Sequence, residues 1–304
     1  MRSQTRPAAL LFALVAVVFA VFFHTLESGF LRWDDDINVF ENEKVQGLTA
    51  ANLRWMFTDF EQAIRYKPLS WLAWAVVYEV FGLNPFGYHL ANVFLHCLNT
   101  VLVFLLLRRL LGSGTREAQP LDATGDFCAA LGTLFWAVHP LRVEPVAWVT
   151  GLPYHLALGF ALAATLFYLR AHEPGISAGA RRQNYWLAVA AFGLAVFSYP
   201  IVLGYVAALV ALDFFPLRRF HRGEKLNLVD AAARRVWLEK IPFLLLSVVL
   251  VAGTVYGRFF VTGDWPKPTR LEDFGPVARL MQAFYLWAYY VWKTLLPLDL
   301  GPFY

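Results

Sequence analysis

Eight apolar blocks constrain this chain more than any other feature. The first runs from Ala8 to Phe23, and others lie near residues 88–111, 127–140, 153–170, 185–198, 201–215, 241–260 and 277–296. Most approach the roughly 20 residues that a helix rising 1.5 Å per residue needs to cross about 30 Å of hydrocarbon. A water-soluble domain of 304 residues has no place for so much apolar surface: 59% of the chain is hydrophobic, 17% aromatic and only 16% charged. The expected fold is all-α, a polytopic transmembrane bundle of about eight spans, with residues 1–304 forming one membrane domain.

The polar segments set its orientation. Arg2 and Arg6 before the first block resemble the start of a secretory signal, but no small-residue cleavage site precedes HTLESGFLRWDDD, which predicts an uncleaved first span. Basic residues gather in three loops: Arg108, Arg109 and Arg116 in one, Arg181 and Arg182 in another, and seven Lys/Arg against three Asp/Glu across 216–240. Placing these loops inside puts the N-terminus inside and residues 24–87 outside, as one sizeable extracytoplasmic loop. The net charge of +4 thus encodes topology and implies no nucleic-acid partner. Within the outer loop, LTAANLRWMFTDF with Thr49 as an N-cap and PLSWLAWAVVYEVFG opening at Pro68 read as amphipathic helices on the membrane surface. Tyr199-Pro200 breaks an apolar stretch and marks a turn or a kink. Cys97 and Cys128, each inside an apolar block, read as free buried thiols. Short loops point to a bacterial inner membrane.

Three polar constellations stand out from this background. WDDDIN places Asp34, Asp35 and Asp36 directly after the first span, where clustered carboxylates need a partner or a substrate. A carboxylate there can take a proton from an attacking hydroxyl, or it can simply be a solvated acidic cap. His89, Asn92, His96 and Asn99 fall on one face of the second span and so point into the bundle, either to bind a phosphate or to hold helices together. FWAVHPLRVEPVAW sets His139, Arg142 and Glu144 between two prolines at the outer end of the third span, as a phosphate site or as an ion pair that shapes a turn. No compact metal-ligand spacing and no glycine-rich nucleotide fingerprint occurs, so no metal is expected and a lipid-borne donor suits the chain better than a nucleotide sugar.

In order along the chain stand FLRWDDDINVFEN, YKPLSWL, GLNPFGYHLANVFLHCLNTVLVFLLLRRL, LFWAVHPLRVEPVAWVTG, the SYP turn followed by ALDFFPLRR, LEKIPFLLLS and YVWKTLLPLDLGPFY. In this order and spacing they resemble the transmembrane and tetratricopeptide-repeat O-mannosyltransferases and their bacterial relatives, of the GT-C class of glycosyltransferases. The resemblance covers the membrane part of that family. It implies a polyprenyl-phosphate sugar such as polyprenyl-phosphate-mannose as co-substrate with no further cofactor, inverting transfer to a Ser/Thr hydroxyl of a polypeptide acceptor at the outer face, and an acid of the first outer loop as base. Asp34 and Asp35 occupy the matching positions. By the same resemblance His89, Asn92, His96, His139, Arg142 and Glu144 surround a lipid-phosphate cavity. Two departures are visible. GLPYHL at 151–156 lacks the basic-acidic pair common in the family, and the chain stops before the further helices and repeats of its longer members, so it is expected to be truncated relative to them. Two other classes stay open at this point: a transporter or flippase that uses the intramembrane polar stripe as a path, and a non-catalytic membrane scaffold.

Overall fold

The computed structural model describes residues 2–59, 66–113, 121–223, 225–257, 259 and 270–301. Its long helices are α1 (Arg2–Phe22), α4 (Pro85–Ser113), α5 (Ala123–Ala137), α7 (Leu152–Ala171), α8 (Ala178–Ser198), α9 (Tyr205–Phe214), α11 (Ile241–Tyr256) and α12 (Pro276–Leu295), so each apolar block lies on a helix. Shorter helices are α2 (Ala50–Thr58), α3 (Pro68–Phe81), α6 (Val143–Ala147) and α10 (Ala231–Leu238). Among the described residues the extended structure amounts to one tiny hairpin, His221–Arg222 against Lys225–Leu226. Among the described residues four helical stretches are long and apolar enough to cross a membrane: Arg6–Glu27, Pro85–Gly112, Val149–Ala171 and Ala231–Tyr256. The remaining long helices are shorter or more polar than that measure requires.

Local signals start these helices. Thr49, Asp122, Ser177 and Asp230 cap α2, α5, α8 and α10 by accepting from backbone amides that the helix itself leaves unpaired. Inside the apolar layer, hydroxyls turn back on their own helix: Thr133 donates to Ala129 O, Thr165 to Ala161 O and Ser247 to Phe243 O. Lipid offers no other partner, so this self-satisfaction is what makes such residues tolerable there.

Packing follows side-chain size. The α7 and α8 surfaces meet through Ala157, Ala161 and Ala164 on one side and Ala188, Ala191 and Ala195 on the other, all buried, so the two backbones approach closely. Around this pair a core of Trp71, Trp74, Tyr168, Phe192, Tyr205 and Phe243 joins α3, α9 and α11. A second cluster, with Val18, Phe22, Val93 and Ala137, joins α1 to α4 and α5. Large apolar side chains such as Phe12, Phe94, Phe135 and Leu245 face outward and are exposed, as a lipid-facing surface requires.

Two expectations change in detail, and one open alternative is resolved. The helix α3 is drawn into the core rather than resting on the surface: Trp74 is fully buried, and Trp71 is buried against the rings of Trp55 and Tyr66. Its Ser70 hydroxyl donates to Ser198 O at 2.7 Å, capturing a carbonyl that the Tyr199-Pro200 break leaves without a helical partner. That break is a turn: α8 ends at Ser198, Tyr199 is extended, and a 3₁₀ stretch Pro200–Gly204 leads into α9. Of the two free cysteines, Cys97 is buried but Cys128 is exposed, since its face of α5 points away from the bundle.

The two ends of the bundle differ in chemistry. Along α4, His89 and Arg108 lie about 29 Å apart at 1.5 Å per residue. At the Arg108 end ion pairs gather: Arg108 with Asp126, Arg109 with Glu173, and a buried set in which Asp213 meets Lys240 at 2.6 Å and Arg219 at 3.1 Å while Tyr168 donates to it. At the His89 end lies the first polar loop.

Candidate functional site

The loop after α1 folds back onto the bundle through one carboxylate. Asp35 is only 1% exposed. Its Oδ2 accepts from Leu31 N at 2.9 Å within the loop, and its Oδ1 accepts from both Thr150 N at 3.1 Å and Thr150 Oγ1 at 2.6 Å, 115 positions away. Hydrogen bonds to an ionised acceptor contribute roughly 1.5–3 kcal/mol each, enough to hold a loop that has few other long-range anchors. A carboxylate offers about four acceptor positions. Among the described residues three are used, and the one left is on Oδ2.

Asp35 lines a cavity of about 720 Å³ together with the loop residues Ser28–Trp33, with His89 at the start of α4, and with Val143, Glu144 and Ala147–Val149 of the turn between α5 and α7. Three of the residues singled out in the sequence, Asp35, His89 and Glu144, therefore meet there from three separate segments. The His89 ring is buried and its Nε2–H donates to Gly29 O at 3.4 Å. Glu144 is exposed, and no ion pair links it to Arg142 among the described residues. Arg32 lines the same space. Its bridge to Glu41, 3.5 Å long, is exposed on both sides, so water and salt weaken it.

The other candidates lie close by, outside that lining. Asp34 is half-buried, and its backbone carbonyl receives Asn38 N and Asn38 Nδ2. Asn92 donates to Trp148 O at 2.6 Å, tying α4 to the turn. His96 donates to Ala137 O at 2.9 Å and its ring sits 5.4 Å from that of His155. His139 caps the short 3₁₀ turn Pro140–Arg142 through Nδ1 and donates from Nε2 to Thr294 O of α12. Arg142 rests over the Trp136 ring at 5.6 Å, and burial lowers its pKa below the ordinary arginine value.

The stripe on α4 is thus partly a packing device, yet it is incompletely satisfied. Asn92 Oδ1, His96 Nδ1, Arg142 Nε and Trp148 Nε1 are buried with no hydrogen-bond partner among the described residues. Buried polar atoms of this kind are completed by water or by a ligand. Among the described residues no group of three or more His, Cys, Asp or Glu is placed to hold a metal ion.

Two contributors carried no signal in the sequence. Thr150 is an ordinary threonine until the fold sets it against Asp35. His155, within the atypical GLPYHL segment, is buried and donates to Pro145 O at 2.9 Å, bracing the turn that carries Glu144. The proline on either side of Arg142 and Glu144 was the only available hint that this turn is irregular.

Similarity to known proteins follows this membrane part. No protein-family model matches the chain, and no solved structure matches it. It is 36% identical over 143 residues to the protein O-mannosyl-transferase Tmtc1 of Drosophila melanogaster, covering 45% of this chain and 15% of that protein. Against protein O-mannosyl-transferase Tmtc2 of the same fly the identity is 33% over 184 residues, 58% of this chain and 18% of the relative. Human protein O-mannosyl-transferase TMTC4 aligns over 310 residues at 24% identity, covering 93% of this chain and 42% of that protein. The chain thus spans well under half the length of each of these relatives.

Proposed function

We propose, on the premise that this chain belongs to the family of the TMTC protein O-mannosyl-transferases, that it is a membrane glycosyltransferase whose active site is the cavity beside Asp35. The donor is a polyprenyl-phosphate sugar, mannose in the first instance, and the acceptor is a Ser/Thr hydroxyl of a polypeptide. The work is done at the outer end of the bundle, in a bacterial inner membrane.

The observation that carries this reading is the meeting of Asp35, His89 and Glu144 on one cavity, a few residues beyond the apolar layer from which a lipid-linked donor enters. In the reaction the acceptor oxygen attacks the anomeric carbon as its proton passes to the remaining acceptor position on Asp35 Oδ2. The bond from that carbon to the phosphate oxygen breaks, and the electron pair leaves with the polyprenyl phosphate. Attack opposite the leaving group inverts the configuration. Arg32 and the buried imidazole of His89 face the departing phosphate, and Glu144 orients the acceptor. Arg142, held over Trp136, shapes the turn and adds positive potential behind it.

The test is transfer of radiolabelled mannose from polyprenyl-phosphate-mannose to protein, in membranes carrying the chain or its Asp35→Asn variant. Label that depends on Asp35 supports the reading. A variant that labels as the parent does removes Asp35 as the base, and a parent chain that transfers nothing removes the transferase reading for this chain.

A further inference from the structure

We propose that Thr150 is a positioning residue that sets which oxygen of Asp35 receives the proton; this rests on the reading of Asp35 as the base. Thr150 gives Asp35 Oδ1 two donors, its backbone amide at 3.1 Å and its hydroxyl at 2.6 Å, and both groups are buried. Two short bonds to one oxygen fill its lone pairs and fix the plane of the carboxylate, while Leu31 N takes one position on Oδ2. The basic position that remains is on Oδ2.

The backbone around Thr150 leaves little freedom for it to do otherwise. It lies in the 3₁₀ turn Val149–Gly151. A Cβ on Gly151 would stand 2.0 Å from Pro145 O, so the chain is closed up against the turn carrying Glu144. The groups that share the Asp35 cavity and carry or can carry charge are Arg32, His89 and Glu144, on the loop, on α4 and on α6. Thr150 is uncharged and reaches the reacting centre only through Asp35, which separates its effect from theirs.

The experiment compares Thr150→Val, Thr150→Cys and Thr150→Ser with the parent and with Asp35→Asn, as full chains in membranes, measuring kcat and the KM for polyprenyl-phosphate-mannose. The expected result is a fall in kcat of about tenfold or more for Val, an intermediate value for Cys, recovery in Ser and an unchanged donor KM. If Val expresses poorly, the Cys and Ser pair carries the comparison. Equal kcat across the series, or a kcat loss that Ser does not recover, with Asp35→Asn inactive, overturns the role of Thr150 and leaves the base in place. An active Asp35→Asn chain overturns both.

Discussion

At the residue scale, the difference between neighbours in WDDDIN is one of environment. Asp35 is buried, bonded across the bundle and on the cavity; Asp34 is half-buried and off it. General-base catalysis is worth roughly 10²–10⁴-fold, so Asp35→Asn is expected to lower transfer by at least two orders of magnitude more than Asp34→Asn does, as measured by mannose incorporation at equal expression. The same contrast applies to the cations. Arg32→Gln should raise the KM for the lipid donor severalfold and make it less sensitive to salt, since its present bridge to Glu41 is exposed and weak. A KM that does not move would assign the phosphate to another group.

At the element scale, the turn between α5 and α7 is the part that must hold its shape, because it presents Glu144 and Thr150 together. Its restraints are Asn92 on Trp148 O, His155 on Pro145 O and the tight contact of Gly151 with Pro145. Replacing Asn92 by Leu removes one of the two donors on Trp148 O, with Gly151 N at 2.9 Å as the other, a cost of about 0.5–1.5 kcal/mol, and should lower the thermal midpoint in detergent while reducing activity more than stability alone explains. Gly151→Ala should act more strongly, since backbone rather than a flexible side chain blocks the added methyl. A fully active, equally stable Gly151→Ala chain would mean that the turn is loose.

At the scale of the whole molecule, the two ends differ in chemistry. The end with Asp213, Lys240, Arg219 and Tyr168 fastens α7, α9 and α11 at the opposite side from the cavity. Taking one partner from a buried ion pair strands the other, which costs roughly 3–5 kcal/mol. Asp213→Leu should therefore destabilise the bundle strongly, and the additional Lys240→Met change should recover part of the loss, read as melting temperature in detergent. No loss in the single variant would show that lipid headgroups or water reach this cluster.

The sequence by itself determined the solvent and the elements. Apolar blocks near 20 residues long permit little but helices in lipid, because every backbone amide must be paired within its own segment. The polar residues inside those blocks were equally legible, since their burial costs free energy that a partner or a task must offset. Among the described residues four helical stretches meet the length and composition of a span, while α5 and α9 are shorter and α8 and α12 more polar. The tertiary structure decided the companions. Asp35 and Thr150 are 115 residues apart, and nothing local to either foretells a 2.6 Å contact. Likewise Pro68–Phe81 reads as a surface helix until the bundle core takes in Trp71 and Trp74. Such pairings arise from helix packing and loop closure, which are set by the whole bundle and leave no periodic trace in any one segment.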